Sequence, residues 1–175
     1  MYGLLITTGV ILAILYAENL AKKKDLDLEI FWKSLFLIIL ASLLGARGYY
    51  IIDNWYYYVT TPILIPQIWT GGMGIIGAIL AGTATLIILF KKMKQPVLKW
   101  LDIFALPIPL AQAIGRWGNF FNNEHMPFAI YESFLDIILF LLLLVLEKKH
   151  PKDGTIFWVY IIGYILIRFS LQHLR

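Results

Sequence analysis

A chain of 175 residues has the length of one domain. Its composition narrows the class: 60% of residues are hydrophobic against about 45–50% in ordinary globular chains, 15% are charged against about 25%, and the mean hydropathy is +0.76. That excludes a water-soluble globule, disorder and a collagen-like fibre; the lack of cysteine excludes disulfides, thiolate metal sites and a cysteine nucleophile of the chain's own.

A bilayer crossing needs about 20 mostly apolar residues. Six stretches meet that need, in order Gly3–Leu20, Phe31–Ile52, Gly72–Phe90, Leu101–Phe121, Ala129–Leu146 and Ile156–Leu171. The expectation is an all-α integral membrane protein, a bundle of about six transmembrane helices forming one domain over residues 1–175. The first stretch lacks a basic leading region, ends in Glu18-Asn19 and runs into Lys22-Lys23-Lys24, so it reads as a retained helix and not as a signal peptide. In the third, Gly74, Ala78, Gly82 and Thr85 form a ridge of small residues suited to close helix packing. In the fourth, Pro107 and Pro109 predict a kink or an unwound turn.

The connections alternate in charge. Lys22–Glu29, Lys91–Lys99 and Glu147–Asp153 hold ten of the fifteen basic residues, and the intervening Asp53–Trp69 and Asn122–Phe128 hold none. By the positive-inside rule the three basic connections are cytoplasmic and both chain ends face outward. Trp55-Tyr56-Tyr57-Tyr58 and Trp69 then sit in an aromatic belt at the outer interface. Topology and anionic lipid account for the net charge of +4, so nucleic acid is rejected as a partner and the membrane takes its place. Asp102, beside a basic connection, reads as a helix cap.

Three arginines break the charge rule. Arg47, Arg116 and Arg168 lie inside apolar stretches, each toward the end that the topology places outside. An intramembrane arginine costs at least about 2.5–3.5 kcal/mol and usually faces a bundle interior or a wet cavity. Gln112, Arg116, Asn119 and Asn123 share one helical face, as do Tyr164, Arg168, Gln172 and Arg175; Arg47 and Tyr50 are three residues apart, Glu132 and Asp136 four. Polar groups in hydrocarbon need partners, so these faces should converge on a cationic pocket open to the outer leaflet. Guanidinium groups grip phosphate through a planar fork of donors, which makes a phospholipid head the natural guest. The alternative is snorkelling, or pairing with Glu124, Glu132 and Asp136. Gly71-Gly72 at a helix start is a further, weaker place for an anion.

The run Gly115-Arg116-Trp117-Gly118-Asn119-Phe120-Phe121-Asn122-Asn123-Glu124 resembles the G-R-x-G-N-F-x-N-x-E signature of the prolipoprotein diacylglyceryl transferases. Tyr2-Gly3-Leu4-Leu5, Gly45-Ala46-Arg47-Gly48-Tyr49-Tyr50, Trp69-Thr70-Gly71-Gly72-Met73, Pro127 to Glu132, and Gly163-Tyr164 with Arg168 are similar to further motifs of that family, in the same order and over nearly the whole chain. The resemblance implies transfer of a diacylglyceryl group from phosphatidylglycerol to the lipobox cysteine of a prolipoprotein signal peptide, with glycerol phosphate leaving. It implies no cofactor and no metal, and a multi-pass place in the bacterial cytoplasmic (inner) membrane. Carried onto this chain, Arg116 and Arg168 stabilise the departing phosphate. Asn119, Arg47 and Tyr164 bind the head, and Tyr2 and Tyr50 orient it; Glu132 and Asp136 are expected to pair with the arginines. The acceptor brings the sulphur, which agrees with a chain free of cysteine.

Three departures qualify the match. Ile76 stands where the family has a histidine, Gln172 where it has a glutamate, and Met126 where it has another histidine, while the outer segment between Glu124 and Pro127 is short. The expectation is a core without the family's longer outer elaboration, in which His125 or Glu124 takes the thiol proton; an imidazole with a pKa near 6.5 suits that step at neutral pH. Two alternatives stand beside the enzyme: a catalytically silent relative that binds phospholipid or lipoprotein precursor, and a small transporter, for which no inverted repeat speaks.

Overall fold

The computed structural model describes residues 2–122 and 127–172, with Tyr2 and Gln172 by their backbone alone. Regular structure among these residues is entirely helical: α1 (Tyr2–Lys23), α2 (Leu28–Asp53), α3 (Trp55–Thr60), α4 (Ile75–Lys92), α5 (Val97–Ala105), α6 (Ile108–Phe121), α7 (Phe128–Glu147) and α8 (Thr155–Gln172), with short 3-10 turns at Pro62–Leu64 and Ile68–Thr70. Among the described residues five helical segments are long and apolar enough to cross a membrane, namely Gly3–Lys23, Leu28–Asp53, Ile75–Lys92, Val97–Phe121 and Phe128–Glu147; Thr155–Leu171 is apolar but shorter.

The residues between helices explain where the helices stop. Asp25, Lys94 and His150, one in each basic connection, have φ of 52°, 56° and 49°. After α1 and α4 this left-handed residue closes a Schellman turn, in which Leu26 N donates to Ala21 O at 3.0 Å and Gln95 N to Phe90 O at 2.8 Å. The kink expected at Pro107 is a full break between α5 and α6, since two prolines in three residues remove two ladder donors.

The chain forms two compact units. One, residues 28–97, pairs α2 with α4. Their backbones touch at Gly45 and Gly77, where a methyl on either glycine would overlap the other's carbonyl, and Gly74 N donates to Ala46 O at 2.9 Å. The small residues that meet α2 are therefore Gly74, Gly77, Ala81 and Gly82. Of the expected ridge of Gly74, Ala78, Gly82 and Thr85, Gly74 and Gly82 lie in this contact, joined by Gly77 and Ala81.

The other unit, residues 1–27 and 98–175, sets α6 between α1 and α7 and packs α8 on α7. Its helices turn apolar side chains outward: Tyr131, Phe134, Ile138 and Leu142 on α7 and Trp158, Ile162, Ile165 and Phe169 on α8 are exposed. Glu132, Ser133 and Asp136 face inward and are buried. Apolar outside and polar inside is the pattern a lipid solvent selects. At the far end of α7, Lys24 Nζ lies 3.4 Å from Glu147 Oε1. Asp102 caps α8 across the fold, accepting Gly154 N at 2.7 Å and Phe157 N at 2.8 Å.

Candidate functional site

Helices α6, α7 and α8 run antiparallel in sequence. Ser133 Oγ of α7 donates to Ala113 O of α6 at 2.9 Å, and Leu139 of α7 packs on Gly163 of α8. That register brings Arg116, Glu132 and Arg168 to one level. Arg116 Nε lies 2.7 Å from Glu132 Oε2, and Arg168 Nη1 donates to Glu132 Oε1 at 2.9 Å. One carboxylate, 4% exposed, is thus divided between two guanidinium groups that are 22% and 38% exposed. No hydrogen bond to another described residue takes up the Nη groups of Arg116 or the Nε and Nη2 of Arg168. The result is a pair of anchored cations with donors still to give, and two positive charges against one negative.

One helical turn further in lies a second polar layer. Gln112 Nε2 donates to the Tyr160 hydroxyl at 3.2 Å, and Tyr160 stacks on Tyr164 with ring centroids 6.0 Å apart. Asp136 is 2% exposed. Among the described residues its Oδ1, Gln112 Oε1 and Glu132 Oε2 are buried acceptors without a hydrogen-bond donor, Glu132 Oε2 having the ion-pair contact with Arg116. Asn119, on the Arg116 face of α6, is also buried.

Arg47 belongs to the other unit and is held differently. Its Nε donates to Ile65 O at 3.0 Å, Nη1 to Gly71 O at 2.6 Å and Gly72 O at 3.1 Å, and Nη2 to Leu64 O. The Tyr58 ring covers it, centroid 5.2 Å from Cζ. The segment between α3 and α4 is folded around a buried guanidinium that meets carbonyl dipoles. Positive φ at Gly71 (85°) and Gly72 (74°) lets both carbonyls turn toward it. Tyr50 packs edge-on against Tyr58, ring centroids 6.3 Å apart.

Of the other residues singled out from sequence, Glu124, His125 and Asn123 lie outside the described residues, as do the side chains of Tyr2 and Gln172. Tyr2 opens α1, and Tyr164 is half-buried on the inward face of α8. Ile76 is 50% exposed in the first turn of α4. Sequence reasoning did not single out Tyr160, and it put Tyr58 in an interfacial aromatic belt, whereas Tyr58 is buried over Arg47 while Trp55, Tyr56, Tyr57 and Trp69 are exposed; an aromatic residue carries no mark of the polar group it will meet.

The family model for prolipoprotein diacylglyceryl transferase matches residues 1–175. Three proteins named phosphatidylglycerol–prolipoprotein diacylglyceryl transferase are similar to this chain along 99% of its length. That of Finegoldia magna is 39% identical with 78% of its own length covered, that of Parasynechococcus marenigrum 38% with 75%, and that of Staphylococcus carnosus 34% with 74%. A match over the whole chain, together with an arginine pair that holds free donors inside an apolar helical unit, places it: the chain belongs to the prolipoprotein diacylglyceryl transferase family.

Proposed function

We propose that this chain transfers the diacylglyceryl group of phosphatidylglycerol to the lipobox cysteine thiol of prolipoproteins, in the bacterial cytoplasmic membrane. Six helices cross the bilayer in this reading, α8 being the sixth, with both chain ends and the Arg116–Glu132–Arg168 level toward the outer leaflet. The acceptor sulphur, as thiolate, attacks the glyceryl carbon. The carbon–oxygen bond to phosphate breaks, its electron pair stays on the phosphate oxygen, and glycerol phosphate departs with one more negative charge than the diester had. That charge is the demand on the protein. Arg116 and Arg168 meet it with the N–H groups that Glu132 leaves free, already aimed, so that little reorganisation is needed as the charge develops. Donors placed this way are worth about 10²–10³ in rate each. Asn119 donates to the same head and Tyr164 lines it. Arg47 contributes by shaping the Gly71-Gly72 segment. The thiol proton goes to Glu124 or His125.

The observation that carries this reading is the carboxylate divided between two arginines that keep donors to spare. The names of the similar proteins favour it over a silent phospholipid binder. The test is reconstitution of the full chain with phosphatidylglycerol vesicles and a lipobox peptide. Mass gain on the peptide cysteine, lost in Arg116→Ala, is the expected result. Lipid binding with no peptide modification would leave the silent binder standing instead, and full activity in His125→Ala would remove that residue from the proton path.

A further inference from the structure

Gln112 and Tyr160 lie inward of the arginines, and the mechanism above gives neither of them a task. Arg116 stands on α6 and Arg168 on α8, and both helices pack on α7. Each guanidinium is tied to α7 through Glu132, but a shared carboxylate does not by itself set the distance between the two. That distance follows from how α8 stands against α6. Among the described residues one hydrogen bond joins these two helices directly, from Gln112 Nε2 to the Tyr160 hydroxyl at 3.2 Å. Gln112 comes one turn before Arg116 and Tyr160 two turns before Arg168, so the link lies just beneath the level of the guanidinium groups. Tyr160 is 5% exposed, and its ring backs that of Tyr164, the two planes 24° apart.

The link is a poor source of stability. It joins two neutral groups, and the same Gln112 amide keeps its oxygen, Oε1, buried without a donor. An orphaned buried carbonyl costs more than a neutral hydrogen bond returns, so an apolar pair of similar shape would hold α8 to α6 at least as firmly. What such a pair lacks is direction. Apolar surfaces tolerate small slides and rotations, whereas a buried hydrogen bond is made at one register. A phosphate that accepts from two guanidinium groups at once needs that one register, since a misplacement of about 1 Å can cost two orders of magnitude in rate. We propose that Tyr160 is a positioning residue: through Gln112 it fixes α8 against α6, and so sets the spacing at which Arg116 and Arg168 meet the departing phosphate together. Tyr160 acts without touching the lipid. The inference rests on the reading of the arginine pair as the phosphate site.

The test reads kcat and KM separately for lipidation of a lipobox peptide, with the full chain in mixed micelles of dodecyl maltoside and phosphatidylglycerol. Tyr160→Phe keeps the ring and its stack and drops the bond. The expected result is a kcat lower by about tenfold with KM for phosphatidylglycerol within about twofold, because one arginine suffices to hold the resting head while the departing charge needs both. In the double variant Gln112→Leu/Tyr160→Phe no donor is left unpaired, so the unfolding temperature returns to that of wild type or above while kcat stays down. With Arg168→Gln already present, Tyr160→Phe costs less than about twofold more, since there is no second guanidinium left to space. Recovery of kcat in the double variant assigns the pair a structural role alone and overturns the inference. So does a Tyr160→Phe enzyme within about twofold of wild type, a loss confined to KM, or an undiminished fall in the Arg168→Gln background. Wild-type turnover in Arg116→Gln or Arg168→Gln brings down the phosphate-site reading itself, and the inference with it. Circular dichroism and gel filtration check each variant; should Tyr160→Phe fail to fold, the double variant decides.

Discussion

Replacing Glu132 by Gln keeps the size of the side chain and removes its charge. The native carboxylate meets Arg116 at 2.7 Å and Arg168 at 2.9 Å. A charged hydrogen bond such as that from Arg168 contributes about 1.5–3 kcal/mol, and the ion pair with Arg116 is taken at the lower end of the same range because both guanidinium groups reach the surface of the unit. The amide oxygen keeps part of one contact while the amide NH2 faces the other guanidinium donor to donor, so the loss comes to about 2–3 kcal/mol of positioning. If that positioning is spent at the leaving phosphate, kcat/KM for peptide lipidation falls by about 30- to 150-fold. The assay is the rate of mass gain on a lipobox peptide at subsaturating phosphatidylglycerol, with intact secondary structure checked by circular dichroism. A second arm probes the shared carboxylate: Arg168→Gln together with Glu132→Gln should cost less than the two single changes combined, because each removes the same contact. A Glu132→Gln enzyme within about threefold of wild type would refute the idea that this carboxylate aims the arginines.

Three further outcomes concern the scaffold. Asp102→Asn leaves one acceptor where two backbone N–H groups of the α8 start now bind, at 2.7 and 2.8 Å, and should lower the unfolding temperature by about 2–6 °C in detergent, from a cap worth about 1–2 kcal/mol. Gly77→Ala drives a methyl into the Gly45 carbonyl and the Tyr49 side chain; overpacking of this kind costs about 1–3 kcal/mol and should show as faster proteolysis between α2 and α4, with Ala78→Gly as the mild comparison. Lys94→Gly relieves a left-handed residue at the end of α4 and should raise stability by about 0.5–1 kcal/mol; a fall would mean that the lysine side chain does more than end a helix.

What sequence made visible and what it hid divide along a physical line. The long helices were legible because hydrocarbon demands runs of about 20 apolar residues and tolerates little else. The break at Pro107 was legible because proline removes its donor wherever it stands. The inward stripe of Gln112, Arg116 and Asn119 could be counted off at helical spacing, and the structure sets Arg116 on the Glu132 carboxylate. Pairing of the arginines with Glu132 was expected, but that both share this one carboxylate while Asp136 makes no ion pair among the described residues could not be read, since register between helices depends on how side chains such as Leu139 and Gly163 interlock. Arg47 shows the limit most clearly. Its partners are the carbonyls of Leu64, Ile65, Gly71 and Gly72, and backbone oxygens leave no trace in the identity of the residues that bear them. The small-residue face of α4 was foreseen as a packing surface, and Gly74 and Gly82 meet α2, but its partner and the closest point at Gly77 were not, because every third or fourth position of α4 offers a small residue and only Gly45 of α2 decides among them.

The Arg47 cage also sets how the segment between α3 and α4 responds to its surroundings. A salt bridge dissolves when acid neutralises its carboxylate; peptide oxygens gain no proton at any acidity a cell surface meets, and a guanidinium loses none. The turn built on Leu64, Ile65, Gly71 and Gly72 is therefore indifferent to acidification, and because its contacts are dipolar and sheltered under Tyr58, added electrolyte weakens it little. The segment keeps its shape through fluctuations in the medium that would loosen an acid–base latch.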